Sequence, residues 1–79
     1  MKAKTETQRL MVLSKEFGKN IKEIQIHESE GFVFLFYPNF WWFKHRIRIK
    51  FELFENILEN RELSCNEIVK CNQLDWLQK

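Results

Sequence analysis

Six consecutive apolar residues, Phe32 to Tyr37, limit the fold more than any other feature of this chain. An apolar run without alternation suits a strand covered on both faces, and therefore one at the centre of its sheet. Pro38 and Asn39 follow and reverse the chain. Ten of the twelve aromatic residues lie between Phe32 and Phe54, so most of the burial energy of the core must be concentrated there.

The flanking segments alternate where the central one does not. Ile24 and Ile26 are interleaved with Glu23, Gln25 and His27, which is the two-residue period of a strand with one wet face. Glu28 to Gly31 reads as a turn. Beyond Phe40 to Phe43, Lys44, Arg46, Arg48 and Lys50 alternate with His45, Ile47, Ile49 and Phe51, giving a strand with one basic face and one mostly apolar face. Short connections between three such strands predict an antiparallel meander with the apolar strand in the middle.

Helices bracket the meander. Thr5 and Gln8 have the spacing of a capping box, Leu10, Leu13, Ser14 and Phe17 share a face, and Gly18 supplies a left-handed stop, so a helix is expected at about 6 to 17. Near Phe51 the period changes to 3.6, with Phe51, Phe54, Ile57 and Leu58 on one side and Glu52, Glu55, Glu59 and Glu62 on the other. That second helix has no capping side chain. Ser64 and Glu67 form another capping box, which predicts a third helix from about 65 with Ile68, Val69, Trp76 and Leu77 partly buried and a break near Gln73 to Asp75.

The expected fold is thus a single small α+β domain spanning 1–79, in the order α-β-β-β-α-α, with the two C-terminal helices on one face of the sheet. Phe32, Phe34, Phe36, Ile47, Ile49, Phe54 and Ile57 are the expected core. The order of elements is similar to that of the double-stranded-RNA-binding domain at the level of topology. That family has a lysine-rich start to the helix after its third strand, whereas this chain has "FELFENILEN" there, and recognition of a duplex is not carried over. The stretch from Leu53 to Leu77 is superficially like the first two helices of a helix-turn-helix, without a basic recognition helix after it.

Composition sets outer bounds on function. A chain of 79 residues buries only roughly 60% of the surface its unfolded form exposes, which leaves no deep catalytic cleft. The net charge of +2 does not by itself indicate nucleic acid, but the charge is blocked: six basic and two acidic residues in 1–22, four basic in 44–50, five acidic and one basic in 51–67. Cys65 and Cys71, about 9 Å apart along a helix, are expected as free thiols. With no apolar leader in "MKAKTETQRL", they point to the cytoplasm. The longest apolar run, twelve residues from Phe32 to Phe43, is short of the roughly 20 a membrane-spanning helix needs, and membrane contact is not expected.

Neither histidine pair nor metal site is indicated. His27, His45, Cys65 and Cys71 lack the close cysteine pair of structural zinc sites. By parity His27 and His45 fall on opposite faces of the sheet, which separates any acid and base. No catalytic residues, metal or cofactors are assigned.

Two binding readings remain. Trp42, Lys44, Arg46, Arg48 and Lys50 place cations at every second position, about 6.6 Å apart, beside aromatic rings. Cations hold phosphates and rings stack bases, so the expected function is that of a non-enzymatic regulatory protein binding single-stranded or RNA-like nucleic acid, with an acidic protein surface as the other partner. The alternative is a protein–protein adaptor or inhibitor, including a homodimer, that uses Val33, Leu35, Tyr37 and Trp42 as an exposed second face of the sheet. A solubilising edge strand would also carry lysine and arginine.

Overall fold

A computed structural model describes residues 3–38 and 44–77. Its elements run α1 (Glu6–Phe17), β1 (Glu23–His27), a 3-10 turn (Glu28–Glu30), β2 (Phe32–Pro38), β3 (Lys44–Lys50), α2 (Phe51–Asn60) and α3 (Cys65–Leu77). This is the expected α+β order, with an antiparallel sheet β1-β2-β3 and the apolar strand at its centre. Phe40 to Phe43, Trp42 among them, lie outside the described residues.

Local chemistry explains the element ends. The Gln8 amide N–H donates to the Thr5 hydroxyl at 3.2 Å, while Gln8 Oε1 accepts from the Lys4 N–H at 2.7 Å, so a buried polar side chain is satisfied by closing the helix start. Gly18 ends α1 with φ of 63°, and Gly31 ends the 3-10 turn with φ of 83°. Ser14 donates to the Leu10 carbonyl and accepts from the Ile21 N–H at 2.9 Å, which pins the chain entering β1 to the back of α1. α2 starts without a capping side chain, and the Phe51 N–H donates instead to the Gly31 carbonyl at 3.0 Å. The β2–β3 ladder runs directly into the helix.

The core lies between the sheet and the helices and consists of Val12 and Leu13 of α1, Ile21, Val33 and Leu35 of β2, Ile49 of β3, Phe54 and Ile57 of α2, and Leu63. The expected burial of Ile49, Phe54 and Ile57 is found, and Ile47 packs against this cluster. The expectation for β2 is corrected. Val33 and Leu35 are fully buried, so they cannot form an exposed interface, and Tyr37 packs on the same side; Phe32, Phe34 and Phe36 are only half-buried and point the other way. The reason is register: Phe32 pairs with Lys50, Phe34 with Arg48 and Phe36 with Arg46, so the phenylalanines share the basic face of β3.

α3 packs mainly on α1. It continues through Gln73 to Asp75 without the expected break. Its buried anchor is Cys71, whose Sγ lies 3.6 Å from Met11 Sδ, while Val69 and Trp76, expected to be partly buried, are 54% and 77% exposed. Leu77's side chain lies outside the described atoms. Both cysteines are free thiols.

The Ser64–Glu67 capping box forms, and the Glu67 carboxylate also meets the Lys15 ammonium of α1. Lys15, aided by the Ser64 N–H, holds the Glu67 carboxyl at about 2, below its ordinary 4.5. A depressed carboxyl contributes stability that is complete above about pH 4.5 and is lost as pH falls towards 2. Glu67→Gln keeps the capping box, because its amide oxygen still accepts from the Ser64 N–H, and removes the ion pair with Lys15, so it should lower stability at neutral pH by about 0.5 kcal/mol, the scale of a surface ion pair. Denaturant melts from pH 6 down to 2 should show that difference shrinking as the wild type loses the contribution.

Core parity gives a second expectation. Leu35→Ala should cost about 2 to 5 kcal/mol, comparable with the roughly 5 kcal/mol available to so small a fold, and abolish the cooperative melt. Phe34→Ala should retain a cooperative transition. Equal loss in the two variants would contradict the assigned faces.

Candidate nucleic-acid interface

The candidate site is the face of the sheet turned away from the core. Strand alternation and the observed registers put three rows of side chains on it: Glu23–Phe36–Arg46, Gln25–Phe34–Arg48 and His27–Phe32–Lys50, with Lys44 beyond them opposite Pro38. Lys44, Arg46, Arg48 and Lys50 are all exposed. They occupy an edge strand, so their side chains have solvent on one flank and the phenylalanine row on the other.

The phenylalanines form a connected row down β2. Phe32 and Phe34 meet edge to face with centroids 4.9 Å apart, and Phe34 and Phe36 are tilted at 6.2 Å. His27 extends the row onto β1, stacked on Phe32 at 4.9 Å and edge-on to Phe34 at 5.4 Å, both within the range in which such pairs attract. Its Nε2 is enclosed by this packing and has no hydrogen-bond partner.

Two arginines lie over the rings. The Arg46 guanidinium sits 4.5 Å from the Phe34 centroid and that of Arg48 sits 5.5 Å from Phe32. Each leans across the diagonal, past its direct register partner, to the next phenylalanine along the strand. The π-cloud attracts the cation, and the aliphatic stems shield rings that no helix covers. That cover on Phe34 and Phe32, with the ring contact between Phe36 and Phe34, explains how these phenylalanines are half-buried on an open face.

Of the residues expected to bind, Lys44, Arg46, Arg48 and Lys50 are brought onto one face, and Val33, Leu35 and Tyr37 are on the opposite side. His45 also lies there, stacked on Tyr37 at 5.8 Å, so the two histidines are on opposite faces as parity required. Phe32, Phe34, Phe36 and His27 are site members that the sequence reading missed. The signal was present in Phe-x-Phe-x-Phe, a two-residue period in ring size within an apolar run. Among the described residues, no three His, Cys, Asp or Glu side chains gather in a way that would hold a metal ion, and no helix is long and apolar enough to cross a membrane.

Comparison with models of protein families, with curated proteins and with solved structures finds no match to this chain.

The arginine–ring contacts can be measured directly. A double-mutant cycle combining Arg46→Ala with Phe34→Leu should give a coupling of about 0.5 to 1 kcal/mol. The same cycle with Val33 in place of Phe34, using Val33→Ala, should give none, because Val33 lies on the other face.

Proposed function

We propose that this chain is a non-enzymatic regulatory protein that binds single-stranded nucleic acid on the open face of its sheet. The observation that carries the reading is the pairing of Arg46 with Phe34 and of Arg48 with Phe32, which sets guanidinium groups and aromatic faces side by side on one exposed surface. Unpaired bases stack on rings of any sequence context, and guanidinium groups bind phosphate bidentately. Lys44 and Lys50 extend the line of positive charge at both ends of β3. Trp42, expected in the same role, adjoins this end of the sequence. The free thiols suit a reducing compartment, and the cytoplasm is the proposed setting.

An acidic protein surface would use the same cations without needing the rings. The adaptor reading loses Val33 and Leu35 to the core, and the face left open carries a cation beside nearly every ring rather than a bare apolar patch. That composition favours a ligand with both charge and flat apolar surface.

A titration with a random single-stranded oligonucleotide tests the proposal. Four phosphate contacts would make the logarithm of affinity fall with the logarithm of salt with a slope of about 3, and Arg46→Ala with Arg48→Ala should reduce the slope by about half. An abasic strand of equal charge should bind at least about fivefold more weakly than the base-containing strand, since one lost stacking contact is worth about 1 kcal/mol or more. Equal binding of the two strands would mean that only charge is read and would favour the acidic protein surface. Salt-independent binding would refute both.

A further inference from the structure

The open face of the sheet is charged unequally on its two flanks. β3 supplies Lys44, Arg46, Arg48 and Lys50, whereas β1 supplies Glu23, Gln25 and His27, and the 3-10 turn that follows adds exposed Glu28 and Glu30. Lys22, next to Glu23, has the opposite parity and lines a hollow on the helical side with Glu6 and Ser14 of α1. A polyanion lying along this face is therefore held on the β3 flank and repelled from the β1 flank. Its phosphates follow β3, and its bases reach across the phenylalanines of β2 towards β1.

Register decides which side chain each base meets. Adjacent strands are about 4.8 Å apart, so β1 lies about 9.6 Å from β3, a span comparable with the reach from a phosphate to the far edge of its own base. Glu23 closes the row that holds Phe36 and Arg46, Gln25 the row of Phe34 and Arg48, and His27 the row of Phe32 and Lys50. His27 is already stacked on Phe32 with its Nε2 enclosed, so that nitrogen is closed to a base. Glu23 and Gln25 are exposed, and among the described residues neither side chain is engaged in a hydrogen bond or ion pair. A glutamine amide carries both donor and acceptor and adapts to any base by turning over, whereas a carboxylate only accepts and does so through two oxygens.

We propose that Glu23 makes this face selective for guanine at the base stacked on Phe36. The Watson–Crick edge of guanine carries two adjacent donors, the ring N1–H and the 2-amino group, which match the two carboxylate oxygens in a bidentate, charge-assisted pair. Adenine and cytosine set one donor beside a ring-nitrogen acceptor, and uracil and thymine set theirs between two carbonyls, so each of these turns a lone pair towards the carboxylate. The inference rests on the proposed single-strand binding and adds to it the base that is read and the direction in which bases lie across the sheet.

Thymidine octamers carrying a single central guanosine, adenosine or inosine provide the test, titrated with the full chain and followed by fluorescence anisotropy. The guanosine strand should bind about fivefold more tightly than the adenosine strand, the lower end of what a bidentate base contact discriminates. Inosine lacks the 2-amino group and should lose most of that advantage. Glu23→Ala should bring the three strands within about twofold of one another without weakening the adenosine strand, because the carboxylate it removes repels phosphate. Lys50→Ala, in a different row, should weaken all three strands and keep their ratio, as the loss of a phosphate contact does. Glu23 is exposed, and its variant should keep the wild-type Tm within about 3 °C, so loss of selectivity will not be loss of fold. Salt-dependent binding that ranks guanosine no higher than adenosine, or a guanosine advantage that survives Glu23→Ala, would overturn the selectivity and leave single-strand binding standing. Binding of none of the three strands would overturn both.

Discussion

The register between β2 and β3 is the constraint on which the rest of the molecule depends. Phe32 opposite Lys50 sets even-numbered residues of one strand against even-numbered residues of the other, and every consequence for the two faces follows. Val33 and Leu35 then join Ile49 and Ile47 beneath the helices, while Phe32, Phe34 and Phe36 join the cations. A slip by one residue would exchange the two sets. Arginine and lysine in β3 oppose such a slip, because they cannot be buried among Val12, Leu13 and Phe54 without losing their hydration. The basic alternation of an edge strand thereby selects which aliphatic residues of the central strand become core.

Aliphatic side chains on the helix side are consistent with the close approach of that layer. Phe54 and Ile57 of α2 meet Val33, Leu35 and Ile49, and Leu13 of α1 fills the centre with no exposed surface. Three phenylalanine rings in place of Val33, Leu35 and Tyr37 would overfill this space and force the helices outward. α3 contributes less to this core. It is held to α1 by Cys71 against Met11 and by Glu67 against Lys15, and Arg61, just before it, reaches Glu16 at 2.5 Å. It therefore behaves as a second layer on α1, with its remaining surface free for other contacts.

Element order was legible because each signal was local. Thr5 with Gln8, Gly18, Ser64 with Glu67, and the switch of period at Phe51 each depend on residues a few positions apart, and each appears in the structure where its spacing placed it. The faces of β2 were not legible in the same way. Both parities of Phe32 to Tyr37 are apolar, so hydrophobicity alone could not choose between them, and the choice resides in pairing with β3 across residues 39–43. Ring size carried the missing information. The exposure of Val69 and Trp76 was also beyond the local pattern, since it depends on α3 meeting α1 along the Glu67–Cys71 side and not along the side that carries these two residues.

Leaving three phenylalanines outside the core forgoes burial that could contribute roughly 1.5 to 3 kcal/mol for each ring, a large sum beside a total of about 5. An edge-strand cation row needs no rings to remain soluble, as lysine alone would discourage sheet-to-sheet pairing. The rings are thus the part of this face that solubility does not explain. Arginine over phenylalanine reconciles the two demands, because the stems keep the rings from presenting a bare apolar surface while the contact itself is worth only about 0.5 to 1 kcal/mol. On the proposed function a base can take the place of a guanidinium on its ring at a gain of about 1 to 3 kcal/mol from stacking. The displaced guanidinium then has a phosphate within its reach, and each of the two contacts broken in the free protein is replaced by two in the complex.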